Sequence, residues 1–239
     1  EQWGFGTTAS GINVRSAWDK STGAGVVVAV IDTGITNHAD LNANILPGYD
    51  FISDTFVSRD GNGRDSNPND EGDWNPVANE CYSGSPVSNS SWHGTHVAGT
   101  VAAVTNNSTG VAGTAFGAKV VPVRVLGRCG GYTSDIADAI TWASGGTVSG
   151  VPANANPAEV INLSLGGGGT CSSTYQTAIN GAVGRGTTVV VAAGNSNTNV
   201  SSSVPANCPN VIAVAATTSA GSRASSGRKA GSMAASVAR

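Results

Sequence analysis

Five short apolar runs punctuate the chain, each of strand length. Residues 26–31 (Val-Val-Val-Ala-Val-Ile) are apolar at every position, without the alternation of a half-exposed strand. Such a run has both faces covered, as an interior strand of a parallel sheet does. It is bounded by Gly25 and by Asp32-Thr33-Gly34. Residues 119–125, 160–165, 187–193 and 211–216 are four further strand candidates, although Pro122 lacks a ladder N–H and weakens the first of these. Between the runs, residues 93–104, 134–143 and 174–183 read as helices. Strand–helix alternation with glycine-rich strand ends predicts an α/β fold around a largely parallel sheet. Its predicted core includes Val28, Val30, Val123, Ile161, Val190 and Val214.

Two regions lack this pattern. Residues 54–91 are dense in Asp, Asn, Gly, Pro and Ser. That is too long for an ordinary connection and predicts a functional or ion-ordered loop. Residues 220–239 are mostly Ala, Ser, Gly and Arg and show no clear element. No internal repeat is present, and 239 residues fit one large domain, 1–239. Twelve basic against fifteen acidic residues leave a net charge of −3, which argues against a dedicated nucleic-acid binder. No run approaches the roughly 18 apolar residues of a membrane-spanning helix.

Charged residues make up only 11% of the chain, less than half the usual share of about 25%. Asn, Ser, Thr and Gly carry the polarity instead. Four cysteines without a C-x-x-C pair favour two disulfides and an oxidising compartment. The chain begins at Glu1 and its only methionine is Met233. Both features predict a secreted, processed protein, its signal and any zymogen pro-segment removed.

The histidines are His38, His93 and His96. His93 and His96 stand three apart at a helix start, but no H-E-x-x-H motif or third ligand set supports a metal. A single catalytic imidazole, base and then acid, is the stronger reading. Asp32 ends the most apolar strand, where open α/β sheets gather functional groups. A buried Asp there can accept the Nδ1 proton of His93. Asn195 follows another strand in Ala192-Ala193-Gly194-Asn195. It suits a turn, and also an oxyanion donor.

Three motifs occur together: Val28-Ala29-Val30-Ile31-Asp32-Thr33-Gly34-Ile35, His93-Gly94-Thr95-His96-Val97-Ala98-Gly99 and Ala192-Ala193-Gly194-Asn195. In sequence and order they resemble the aspartate, histidine and oxyanion motifs of the subtilisin-like serine proteases, secreted bacterial type. The resemblance implies a three-layer subtilisin-like fold, flanked by helices, and an Asp32–His93–serine triad with Asn195 at the oxyanion. It also implies an extended peptide substrate paired between Gly130, Gly131 and Tyr132 on one side and Ser164, Leu165 and Gly166 on the other. No acidic cluster in these segments demands a basic P1 residue, so a broad apolar preference is the default. A monomer, with protein substrates as partners, is expected.

The nucleophile region departs from the family pattern. The chain offers Gly231-Ser232-Met233-Ala234-Ala235-Ser236 where the family reads Gly-Thr-Ser-Met-Ala-x-Pro, and Ser232 follows Asn195 by 37 residues (232 − 195), tens fewer than usual. Ser232 is the candidate nucleophile. Residues 220–239 are then incomplete, truncated or divergent, and an inactive peptide-binding homologue is the rival reading. A metal-dependent hydrolase using His93, His96 and the acidic loop is a second rival.

Calcium enters twice. Asp65, Asn67 and Asn69 start with EF-hand offsets, but Asp70 and Pro76 break the pattern, leaving a looser cation site at Asp60, Asp65 and Asp70. By resemblance, a structural Ca²⁺ is held by Gln2, Asp40, Val104, Asn107, Thr109 and Val111. Four cysteines allow three pairings; the expected bridges are Cys81–Cys129 and Cys171–Cys208.

Overall fold

The computed structural model describes residues 2–8 and 10–225, and the backbone of 234–238. In chain order its elements are α1 (Val14–Trp18), β1 (Val27–Asp32), β2 (Tyr49–Asp50), α2 (Thr55–Ser58), α3 (His93–Ala102), β3 (Lys119–Arg124), α4 (Thr133–Ala143) and β4 (Val160–Leu163). There follow β5 (Gly167–Gly168), α5 (Ser173–Gly184), β6 (Thr188–Ala192), β7 (Ser203–Val204), β8 (Ile212–Thr217) and β9 (Ala234–Ala238). Among the described residues the main sheet has seven strands, in the order β2-β3-β1-β4-β6-β8-β9. Every pairing in it is parallel. The five apolar runs are β1, β3, β4, β6 and β8, and the three long helices lie where the sequence places them.

The apolarity of β1 follows from its cover. Ala29 and Ile31 join Val121 and Val123 in the core beneath α4 and α5. Val30, one residue out of phase, joins Val120 beneath Ala98 and Ala102 of α3. Helices therefore lie on both faces of the sheet, the three-layer α/β arrangement. Tyr49, Phe51 and Trp142 form an aromatic cluster with centroids 5.1–5.7 Å apart.

Pro122 sits inside β3, opposite Val30. Lys119 and Val125 donate their N–H groups towards β1, so the odd-numbered positions face that strand. Position 122 faces the other way, where pairing with β2 begins only at Val123. The absent N–H thus costs no ladder bond.

Two core expectations need correction. Val28, Val30, Val123 and Ile161 are buried, but Val190 and Val214 are half-buried. Both belong to the face that α3 covers, and α3 packs mainly on β1 and β3. Val189, Val191 and Ala213, pointing the other way, are buried instead. The last stretch also differs from expectation, since residues 234–238 pair with β8 as strand β9.

Candidate active site

The strand order explains how distant motifs meet. β3, β1, β4 and β6 are neighbours running in one direction. Their carboxyl ends therefore share one edge of the sheet. Asp32 ends β1, Gly130, Gly131 and Tyr132 lie in the segment after β3, Ser164, Leu165 and Gly166 follow β4, and Asn195 follows β6. This edge is where parallel α/β sheets bind ligands.

Asp32 is fully buried, and its Oδ1 and Oδ2 lie 2.8 and 2.9 Å from Nδ1 of His93. The N–H of Thr33 donates to Asp32 Oδ1 at 2.7 Å. A carboxylate can only accept, so Nδ1 carries the ring proton and the basic lone pair belongs to Nε2. The His93 side chain keeps 44% of its exposure, so a buried acceptor orients an accessible base.

His93 is the first residue of α3. Trp92 before it is left-handed (φ 52°) and gives no side-chain cap, while the His93 N–H donates to Ser91 Oγ at 3.3 Å. The next residue must be glycine, because a Cβ at Gly94 would stand 2.3 Å from the carbonyl oxygen of Gly34. Its N–H instead reaches the hydroxyl of Thr33 at 2.9 Å. That hydroxyl donates to Asp70 Oδ2 at 2.6 Å. The sequence reading did not connect Thr33 with Asp70, and no local pattern marks a bond across 37 residues.

The long loop is tied to the segment that follows β3. Cys81 is bridged to Cys129, and the Arg128 N–H donates to the Val57 carbonyl at 3.0 Å. Arg128 pairs with Glu80 and stacks 4.2 Å over the ring of Phe56. The Tyr132 hydroxyl donates to Asp54 at 3.0 Å. Between loop and segment lies a cavity of about 260 Å³, walled by Phe56, Val57, Cys81, Cys129 and Tyr132 among others. The second bridge joins Cys171 to Cys208. On the other flank Asn162 donates to Ser164 Oγ at 2.9 Å, and Gly166 is exposed. Asn195 is exposed on its turn, whereas Ser232 lies outside the described residues.

Among the described residues no group of three or more His, Cys, Asp or Glu side chains is arranged to hold a metal ion. Asp60 accepts from Ser58, Asn62 and Arg124. Asp65 accepts from Asn62 and Asn67, and Asp70 from Thr33 and Gly72. Burial would raise Asp60, but its hydrogen bonds and Arg124 leave its carboxyl below the usual range. Asp70 goes the other way, since burial outweighs its hydrogen bonds. Asp50, buried with Arg124 at 2.5 Å, is pushed by burial up to about 7 despite that partner.

The residues expected at the N-terminal calcium site do come together. Asp40 accepts from Asn107 Nδ2 at 2.7 Å and from the Val111 N–H at 2.9 Å, and its carbonyl accepts from Val104 at 2.7 Å. Thr109 donates to Asn107, and Gln2 makes two 2.8 Å bonds with Ala112 of the same loop. A Cβ at Gly110 would fall 2.2 Å from Asp40 Oδ2, so the loop can close only around glycine.

Fold and edge geometry together describe an Asp–His pair at the carboxyl edge of a parallel α/β sheet, the arrangement of a hydrolytic site. The profile of the Subtilase family matches residues 23–237, and the chain belongs to that family. It is 79% identical over 225 residues to the "Extracellular protease" of Xanthomonas campestris pv. campestris, covering 94% of this chain and 39% of that protein. It is 55% identical over 220 residues to the "Extracellular basic protease" of Dichelobacter nodosus, covering 90% and 36%. The chain thus spans about two fifths of these relatives' length. A solved protease structure from Pseudoalteromonas arctica superposes with a TM-score of 0.96 at 60% identity, covering 99% of this chain and 69% of that one.

Proposed function

We propose that the chain is the peptidase domain of a secreted serine endopeptidase. The observation that carries this reading is the buried Asp32 held at 2.8 and 2.9 Å from an accessible His93 at the carboxyl edge of the sheet. Asp32 fixes the tautomer of His93 and stabilises the imidazolium. Through Nε2, His93 takes the hydroxyl proton of Ser232 as that oxygen attacks the scissile carbonyl. The imidazolium then protonates the leaving amine, and a water, activated in the same way, releases the acyl group. The Asn195 amide donates to the tetrahedral oxyanion.

The substrate lies as an extended strand between the segments at Gly130, Gly131 and Tyr132 and at Ser164, Leu165 and Gly166, held by backbone hydrogen bonds. The names of the extracellular relatives, together with two disulfides, support secretion. A structural Ca²⁺ fits the loop around Asp40, where one carboxylate, the amides of Gln2 and Asn107 and nearby carbonyls make a hard oxygen set. Val104, Thr109 and Val111 supply backbone to that loop. The proposed protein acts as a monomer.

A fluorophosphonate probe tests the reading. One covalent adduct that maps to Ser232, and that Asp32→Asn suppresses along with roughly 10⁴-fold of kcat, is the expected result; the factor is that of the trypsin-type triad. A folded protein without adduct or hydrolysis would favour the inactive, peptide-binding alternative.

A further inference from the structure

We infer that Asp70 is a positioning residue for the Asp32–His93 pair and acts through the hydroxyl of Thr33. The inference rests on the proposed triad and extends it into the long loop. Thr33 bridges Asp32 and the first turn of α3. Its N–H donates to Asp32 Oδ1 at 2.7 Å, and its Oγ accepts from the N–H of Gly94, the residue after His93, at 2.9 Å.

A hydroxyl has one proton, and Thr33 spends it on Asp70 Oδ2 at 2.6 Å. That direction keeps an oxygen lone pair for Gly94. Without Asp70 the hydroxyl can rotate its proton towards the Gly94 N–H and oppose the bond that seats α3 on the end of β1. Burial sharpens the effect, because Asp32, Thr33 and Asp70 retain only 0%, 2% and 8% of their exposure. A carboxylate is also a stronger acceptor than a neutral group.

Asp70 is itself held by its loop and by the turn after β1. Gly72 donates to its Oδ1 at 2.8 Å, its own N–H donates to the Ile35 carbonyl at 2.9 Å, and Ile35 donates to Pro68 at 3.0 Å. The charged groups that bear on it are Asp73 and Arg124. Asp73 belongs to the same brace. It accepts from Ser91 at 2.6 and 2.8 Å, and Ser91 Oγ in turn takes the His93 N–H. The loop therefore grips the start of the histidine helix before and after Trp92.

The test compares peptide hydrolysis by the purified enzyme with that of Asp70→Ala, Asp70→Asn, Thr33→Val, Thr33→Ser and the Asp70→Ala/Thr33→Val double variant, with thermal midpoints alongside. Asp70→Ala and Thr33→Val are each expected to lower kcat by roughly tenfold to a hundredfold with KM nearly unchanged, as a slightly misplaced base does. The double variant should lose no more than the worse single one, since both remove the same link. Thr33→Ser, which keeps the hydroxyl, recovers most of the loss.

In Asp70→Asn a negative charge leaves the surroundings of the imidazolium. The acid limb of kcat/KM therefore moves to lower pH, a shift that a purely structural role would not produce. A kcat close to the parent's, or losses that add in the double variant and follow the thermal midpoint with an unmoved limb, would overturn the inference while leaving the triad intact. A parent that neither hydrolyses peptides nor takes the probe would remove both.

Discussion

Removing the Cys81–Cys129 bridge tests how the long loop is held. The two cysteines are 48 residues apart in sequence, and the bridge closes the last part of the loop, residues 81–91, together with α3 and β3. On the chain-entropy model a closure of that length restricts the unfolded chain by about 4 kcal/mol at 25 °C. A typical domain has only about 5–15 kcal/mol in total. The Cys171–Cys208 separation is 37, and because the entropy grows only with the logarithm of length, its contribution is lower by just a few tenths of a kcal/mol. Two opposing effects are visible in the loop. Asn75 and Ser88 exchange two backbone bonds of 2.9 Å, and the Asn79 N–H donates a third to the Ser85 carbonyl at 2.8 Å, so part of the loop organises itself. Yet Asp54, Glu80 and Val57 all meet the segment 128–132, which the bridge brings close. Urea unfolding of Cys81→Ser/Cys129→Ser is expected to show a loss of about 3–4 kcal/mol, with KM for an extended peptide raised. A loss below about 1 kcal/mol with unchanged KM would refute the reasoning. It would mean that hydrogen bonds within the loop, not closure, hold it against the cleft.

Three further outcomes follow from particular contacts. Gly94→Ala places a methyl 2.3 Å from the Gly34 carbonyl oxygen, so α3 must shift and kcat should fall by roughly 10²-fold, read in steady-state kinetics with a folded-state control by circular dichroism. Asp50 has its carboxyl raised to about 7 in the fold from an ordinary 3.8. The native state thus binds this proton more tightly than the unfolded chain. The resulting stability is complete below pH ~4 and is lost as pH rises through about 7. Denaturant titrations at pH 5 and 8 should show that decline, and Asp50→Asn should flatten it. Chelation of calcium should lower the thermal midpoint of the parent by several degrees, and Asp40→Ala should abolish that sensitivity, as mass action at one site requires.

Most of the frame was legible because it is local. The run at residues 26–31 lacks alternation because α3 covers one face of β1 and α4 with α5 the other. Asp32 could be placed at the sheet edge because strand and turn adjoin in sequence. Val190 and Val214 defeated the same logic, since an apolar position does not show whether a helix reaches it. The two-residue strand β2 carries no periodicity, and β5 consists of two glycines. Residues 234–238 (Ala-Ala-Ser-Val-Ala) hold one β-branched side chain, too little to announce a strand. The bond from Thr33 to Asp70 depends on how a loop folds back, which no spacing rule encodes.

The acidic loop shows why composition pointed to an ion there. Asp, Asn and Gly are the residues of an oxygen-lined cation site, but they are equally those of turns in which a carboxylate accepts a nearby N–H. Geometry decides between these roles. Asp60 caps the Asn62 N–H, Asp65 that of Asn67, and Asp70 that of Gly72, each two residues on. What remains of the negative charge meets an internal cation. Arg124 is fully buried, donates to Asp50 at 2.5 Å and Asp60 at 3.1 Å, and also reaches the Ser58 carbonyl. A divalent ion set against Asp60 would stand beside that guanidinium, and two like charges in a poorly solvated site repel strongly. Arg124 thus pairs with carboxylates at the base of the loop. Its place in β3, in register with Asp32, attaches the loop to the strand pair on which His93 depends.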